Sequence, residues 1–324
     1  MRAAVCTKLG PPEESIVIEE RERPSVGKGQ VRLTVGAAGL NFPDSLIIQG
    51  LYQFKPSVPF VPGGELVGTV AEFGEGVNGV EKGQRVVALL PWGAFAEEVV
   101  VDARQVLPVP DGVPDDVAAG LILAYATTLY ALEDRGRLEP GQTLAVLGAA
   151  GGVGLAAVEI GKAMGAKVIA CASTDEKLAL CRARGADETV NYSQADLKKE
   201  LKRLSGGGVD VVYDPVGGEL AEPALRAMGW GGRYLVIGFA SGTIPKLPLN
   251  LTLLKSCSVV GVFWGMFTQR EPERFRGHAA RLFSWVVDGT LKPHIDRTFP
   301  LERTAEAIRQ LMDRKARGKL ILRP

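Results

Sequence analysis

Residues 148–154, Gly-Ala-Ala-Gly-Gly-Val-Gly, follow an apolar strand pattern over 143–147 and open a helical pattern near 153–165. Glycines at such a junction let the backbone approach a pyrophosphate closely and let the helix pack tightly on the strand. The free N–H groups at the helix start then hold phosphates. Read as the dinucleotide fingerprint G-x-G-x-x-G, the stretch is Ala149-x-Gly151-x-x-Gly154, with alanine in the first position. A strand before, a helix after and a second strand near 167–172 supply the context the motif requires. The second strand bears on which dinucleotide is held. An acid near its end would hold a ribose 2′-OH, but the residues there are Ala172-Ser173-Thr174. A carboxylate at that point would repel a 2′-phosphate, whereas Lys177, one helical turn on, would attract it. NADPH is the predicted cofactor. If Lys177 is merely solvated and Asp175 takes the acid's role, the ribose is read differently.

The elements that must position this turn can be read on both sides of it. Six apolar strand patterns, near 143–147, 167–172, 188–190, 209–214, 232–238 and 258–263, alternate with helical patterns near 153–165, 174–184, 194–205 and 218–229. That alternation predicts a doubly wound parallel sheet of the Rossmann type. "VDVVYD" and "RYLVIG" are apolar on both faces, as strands covered by helices on both sides must be. Thr174 is the predicted N-cap of the helix that carries Lys177, with Asp175 and Glu176 in its first turn. Before residue 120 the chain carries short strand-like runs with Gly and Pro punctuation, which predicts a partly closed β-barrel domain. The last 60 or so residues hold helical patterns at His278 to Gly289 and Thr304 to Arg317 and a final strand "KLILRP", and are expected to return to that first domain.

Composition narrows the function classes. The chain has 324 residues, a formal net charge of +1, 46% hydrophobic and 23% charged residues. This suits two soluble domains and gives no basic surface for nucleic acid or an anionic membrane. The apolar stretch Val117 to Leu132 is short for a membrane span and reads as a buried helix. The first residues, "MRAAVCTKLG", lack an apolar signal core, so the cytoplasm is the expected location. Four scattered cysteines and two histidines, His278 and His294, offer no zinc-like spacing and no disulfide framework.

The motifs "GLNFPD" (39–44), "GLYQ" (50–53), "GGELVG" (63–68), "GAAGGVG" (148–154), "NYS" (191–193), "DPVGG" (214–218) and "GFASGTI" (238–244) run nearly the length of the chain. With them it resembles the zinc-free quinone oxidoreductases of the medium-chain dehydrogenase/reductase superfamily. "NLTLLKSCSVVGVFWG" (250–265) is similar to the quinone oxidoreductase-like protein 2 group. The resemblance implies a GroES-like domain over 1–121, completed by 265–324, and a Rossmann NADPH-binding domain over 122–264. Zinc-dependent relatives carry Cys where this chain has Asn41 and His where it has Gly64, so the resemblance implies a metal-free site. It places Thr127 near the nicotinamide and its phosphate, and Ala150, Gly151, Gly152 and Val153 at the pyrophosphate. Ser173, Lys177 and Tyr192 fall at the 2′-phosphate, and Gly238 and Phe239 at the nicotinamide. Asn41 and Tyr52 fall at the substrate end of the cleft, as candidate catalytic hydrogen-bond donors; Asn41 counts there as a cofactor contact too. Phe263 and Trp264 are candidate walls of the pocket, and Phe263 and Lys319 are candidate cofactor contacts. Asp44 reads as structural. Leu46 stands where bacterial quinone reductases often carry tyrosine, which leaves a more apolar cleft with one donor fewer.

Hydride transfer needs the acceptor placed against the nicotinamide and its developing oxyanion stabilised. Without a Lewis acid, hydrogen-bond donors must serve, each contributing about 2–4 kcal/mol when preorganised. That is little help for an isolated ketone and enough for a quinone or an α,β-unsaturated carbonyl. The expected function is an NADPH-dependent reductase of such small molecules. Alternatives are an enoyl-thioester reductase and an NADPH-binding protein with little turnover. An apolar edge strand at 258–263 predicts a homodimer that covers it.

Overall fold

A computed structural model describes all 324 residues. In chain order the strands are β1 (Arg2–Cys6), β2 (Ile16–Glu20), β3 (Gln30–Leu40), β4 (Glu65–Phe73), β5 (Arg85–Leu89), β6 (Glu98–Asp102), β7 (Val106–Pro108), β8 (Thr143–Leu147), β9 (Lys167–Ala172), β10 (Glu188–Asn191), β11 (Val209–Asp214), β12 (Met228–Val236), β13 (Ser258–Gly261), β14 (Ile295–Pro300) and β15 (Lys319–Arg323). They fall into two compact units, Met1–Leu123 with Pro293–Pro324, and Ala124–Lys292.

The first unit is built on a sheet ordered β14-β15-β3-β4-β5-β7, with β6 also paired to β3 and a β1–β2 hairpin beside it. Every pairing in that sheet is antiparallel except β14 with β15. β3 is long enough to serve two partners along one edge, β6 near its start and β15 near its end. Its buried residues, with Phe95 and Phe299, fill one apolar core. The C-terminal strand β15 is wholly internal to the sheet, pairing Leu320 with Leu40.

The second unit is a parallel sheet ordered β10-β9-β8-β11-β12-β13, the doubly wound order whose reversal lies beside β8. The strands β8, β9 and β11 are buried almost throughout, which agrees with their apolar character on both faces.

The second unit is longer than the sequence predicts. Residues 265–292 were expected with the first unit, but the chain returns to it only at Pro293. The helices Trp264–Arg270 and Pro272–Val287 pack on the segment Tyr130–Arg135 instead. Phe267 stacks on Tyr130 at 4.2 Å between ring centroids, and Arg281 pairs with Glu133. The stretch Val117 to Leu132 is helical as predicted, but irregular. An α-helix Asp115–Leu121 passes into a π-helix over Ile122–Ala126, a short α segment Thr127–Leu129 and a second π-helix Tyr130–Arg135. No helix is long and apolar enough to cross a membrane.

Candidate active site

In the second unit the glycine turn follows β8 directly, and the helix Gly152–Ala163 starts from Gly151. Gly148 has φ +57°, and a Cβ there would sit 2.7 Å from Val216 Cγ2, so glycine is required on both counts. The tight-turn glycine, assigned from sequence to the position held by Ala149, is therefore supplied one residue earlier. Ala149 is buried and its N–H bonds to Cys171 O, which ties the turn to the end of β9. A Cβ on Gly154 would lie 2.3 Å from Gly148 O, so the turn and the helix can approach only because position 154 has no side chain. No side chain caps this helix, so the N–H groups of its first turn, at Gly152 and Val153, are left for an external acceptor. Gly151, Gly152 and Val153 are partly exposed, and Ala150 is buried beneath them.

The ends of β9 and β10 converge beside this turn. The Tyr192 N–H donates to Ala172 O, which sets Tyr192 next to Ser173. Thr174 caps the helix Asp175–Ala183 as predicted, its side chain accepting from the Lys177 N–H at 3.3 Å. Ser173, Lys177 and Tyr192 are all partly exposed there. Asp175 Oδ1 accepts from Asn191 Nδ2 at 2.8 Å, which ties this carboxylate to the end of β10. An open groove of about 830 Å³ begins at Tyr192 and runs past Gly218, Leu220, Thr243 and Ile244.

The remaining loops of this unit are held from below. Buried Asp214 accepts the N–H groups of Val216 and Gly217 at 2.8 and 2.9 Å, and its carbonyl accepts from Gly238. Gly238 is partly exposed, and Phe239 and Phe263 are open to solvent. Trp264 packs edge-on against Phe275 at 5.7 Å, so its ring braces the helix Pro272–Val287. Thr128, not Thr127, is buried: its hydroxyl bonds to Ala124 O and to the Tyr213 hydroxyl, while Thr127 keeps some exposure. Glu133, Asp134 and His278 bring their ligand-type atoms within 4.8 Å of one another, yet both carboxylates are paired to arginine, Asp134 to Arg274 and Glu133 to Arg281.

In the first unit the candidate residues form a buried polar cluster. Asn41 is the N-cap of the helix Phe42–Ile47, and its N–H donates to Asp44 Oδ2 at 2.8 Å. Its side-chain amide donates to Glu65 Oε1 at 2.9 Å and to Gly39 O at 3.3 Å. Both amide hydrogens are thus spent, which corrects the expectation that Asn41 is a free donor to substrate. Lys319 is likewise misassigned as a cofactor contact. It is 3% exposed, and its three ammonium hydrogens go to Leu40 O, Asn41 Oδ1 and Glu65 Oε1 at 3.0, 2.7 and 2.7 Å. The sign that would have found this is an acid two residues after Gly63, far along the chain but on the strand beside β3. Burial pushes the Asp44 carboxyl up to about 7, against the pull of the Asn41 N–H and the Lys319 charge. Tyr52 is half-buried, its ring tilted on Phe54 at 5.9 Å. Burial first, and the Asp44 charge second, raise its phenol above the usual value, so it remains a proton donor.

The chain is 39% identical over 323 residues to the quinone oxidoreductase-like protein 2 of Rattus norvegicus, covering 99% of this chain and 91% of that protein. The chain belongs to the quinone oxidoreductase family of the medium-chain dehydrogenase/reductase superfamily. The family description "Alcohol dehydrogenase GroES-like domain" matches residues 27–111, and "Zinc-binding dehydrogenase" matches residues 152–285. A solved quinone oxidoreductase of Escherichia coli, complexed with NADPH, superposes with a TM-score of 0.94 at 29% identity over 100% of both chains. The quinone oxidoreductase of Thermus thermophilus superposes with a TM-score of 0.86 at 34% identity, again over 100% of both. The GroES-like and Rossmann assignments made from sequence are those of this family.

Proposed function

We propose that this protein is an NADPH-dependent oxidoreductase that reduces quinones or other activated α,β-unsaturated carbonyls without a metal. The observation that carries the reading is the pairing of an uncapped glycine turn with a corner where Ser173, Lys177 and Tyr192 stand partly exposed and β9 ends in Ala172 and Ser173 and not in an acid. The fit to NADPH is one of donor chemistry: first-turn N–H groups of Gly152 and Val153 for the pyrophosphate, and Ser173, Lys177 and Tyr192 for the 2′-phosphate. Thr127, Gly238, Phe239 and Phe263 are assigned to the nicotinamide end. When bound, the nicotinamide supplies a hydride to an electron-poor carbon. Tyr52 holds the proton for the product oxygen or enolate, since its phenol stays protonated. Asn41 and Gly64 replace the zinc ligands of the metal-dependent relatives, and the cation beside Asn41 is the Lys319 ammonium. Three of the solved relatives are known as NADPH complexes, which supports the cofactor for this chain.

Steady-state oxidation of NADPH over quinones, enones and enoyl-CoA thioesters tests the reading. Turnover of quinones or enones is expected, and a purified protein carrying about one zinc per chain, with activity lost on chelation, would overturn the metal-free part. Preference for enoyl thioesters would favour the second reading. That reading has support in a phenolphthiocerol/phthiocerol polyketide synthase of Mycobacterium tuberculosis, 34% identical over 325 residues, although this chain spans only 15% of that protein. Binding without turnover would favour the third, a structural or regulatory NADPH-binding protein.

We also propose that the chain dimerises through β13. This strand ends the parallel sheet, and Val259 within it is 41% exposed, with Leu253 and Leu254 exposed on the preceding helix. Such an edge is stable against aggregation when a two-fold copy covers it. Light scattering at micromolar concentration should give twice the chain mass; a monomer overturns this.

A further inference from the structure

Lys319 and Glu65 form an ion pair that solvent barely reaches, with relative exposures of 3% and 2%. The pair is two-sided. Glu65 Oε1 takes the Lys319 ammonium and the Asn41 amide, and Glu65 Oε2 takes the backbone N–H of Leu123 at 2.9 Å. That last bond is unusual, because Leu123 lies within a helical run. In α-register its N–H would donate to Ala119 O. The Ala119 carbonyl instead faces Gly39 so closely that a Cβ there would be 2.2 Å from its oxygen. The ladder is thus interrupted at this step, and the π-helix Ile122–Ala126 surrounds it. A side chain that enters the ladder is a recognised cause of such a break. One extra residue in a turn rotates every residue after it by about 100° around the helix axis. Thr127 and Thr128 come next. Thr128 is turned inward to the Tyr213 hydroxyl, and Thr127 is left with an exposed side.

We propose that Glu65, held by Lys319, is a positioning residue that opens the helix at Leu123 and so sets the face on which Thr127 stands. The inference rests on the assignment of Thr127 to the nicotinamide end for its functional consequence only. The buried charge belongs to the device: an isolated carboxylate could not reach the helix N–H without its counter-ion, and an isolated ammonium could not stay. The arrangement requires Gly39, glycine at the point of closest approach.

Two double variants separate the acceptor from the charge. Glu65→Gln with Lys319→Met removes both charges and keeps an oxygen for the Leu123 N–H. Glu65→Leu with Lys319→Met removes both charges and the oxygen, at similar volume. Neutralising both partners together avoids the unpaired charge that would unfold the unit. Three quantities are read: exchange of the Leu123 amide, affinity for NADPH, and affinity for 2′-phospho-ADP-ribose, which lacks the nicotinamide. The Leu variant is expected to exchange Leu123 about tenfold faster than the Gln variant and to bind NADPH about tenfold more weakly. Affinity for 2′-phospho-ADP-ribose should agree within about twofold between them. The proposal is overturned if the two variants exchange Leu123 alike, or if they lose NADPH and the fragment in equal measure. A wild-type protein that binds neither nucleotide, with the exchange difference intact, would sink the functional reading and leave the helix device standing.

Discussion

Alanine placed at Gly151 and at Gly154, three residues apart in one turn, should do damage of two different kinds. At Gly154 the new Cβ would meet Gly148 O at 2.3 Å, Ala149 Cα at 2.9 Å and Ala149 C at 3.0 Å. All three are backbone atoms of the turn that starts the helix, so no side chain can swing aside. An ordinary contact needs about 3.4 Å, and the helix start must retreat by roughly 1 Å, which places Gly154→Ala at or above the usual cost of overpacking, about 1–3 kcal/mol. At Gly151 the new Cβ would meet only Gly148 O, at 3.5 Å, and φ is −77°. Gly151→Ala should therefore leave stability within about 0.5 kcal/mol, or raise it slightly by restricting the unfolded chain. Its methyl would nonetheless stand where a pyrophosphate must approach. The expected result is a normal thermal transition and at least about tenfold weaker NADPH binding for Gly151→Ala, a loss of about 1.4 kcal/mol. Gly154→Ala should lower the melting temperature first. Thermal unfolding followed by optical signal, with a fluorescence titration of NADPH at a temperature where all variants are folded, reads both. A Gly151→Ala protein that binds NADPH within about twofold of wild type would refute the pyrophosphate assignment. A Gly154→Ala protein as stable as wild type would refute the packing argument.

Lys177→Ala should weaken NADPH and leave NADH nearly unchanged. A charge pair at about 4 Å in a solvated corner contributes about 1 kcal/mol per unit charge, and a 2′-phosphate carries close to two, so the loss is about 10- to 30-fold and shrinks with added salt. Equal losses for both cofactors would show that Lys177 does not read the phosphate. Tyr52→Phe should lower kcat/KM for enones more than it alters NADPH affinity, and an unchanged kcat/KM would return Tyr52 to a packing role. Asp44 titrates with an inverted sign for a carboxyl. Its folded-state value is raised to about 7, so the folded chain holds a proton that the unfolded chain has released. Stability from this group is full below the unfolded value near 4 and is lost as pH rises to about 7, by up to about 4 kcal/mol. Asp44→Asn, which can still accept from the Asn41 N–H, should flatten the fall in melting temperature between about pH 4 and pH 7; an unchanged profile would contradict this.

Much of the second unit was legible because its signals are local. Apolar strands, glycine turns and the Thr174 cap each sit within a few residues of what they act on. The first glycine of the fingerprint was misplaced by one residue, since the motif's spacing points to Ala149 and only the backbone dihedral of Gly148 shows where the turn is made. The buried cluster was not legible. Lys319 on a strand reads as a lysine at a solvated end, and nothing near it in the chain announces Glu65 or Asn41. Asn41 was read as a donor because its type allows it; that its hydrogens are spent depends on residues from β3, β4 and β15 meeting. The helices of 264–287 are amphipathic, and such a pattern says that a face is buried but not against which unit. The π-helix Ile122–Ala126 carries no local sequence signature, because the carboxylate that accompanies the break at Leu123 comes from β4, far along the chain.

The internal place of β15 has a consequence in time. A chain made from its N-terminus presents β3 and β4 long before Leu320 exists to pair with Leu40. Until then Glu65 has no ammonium, and a carboxylate cannot be drawn into an apolar core alone. The second unit, continuous from Ala124 to Lys292, has all its strands earlier and can settle while the first waits. The first unit is therefore the last part of this molecule to become solid, and the arrival of one lysine is what lets it close.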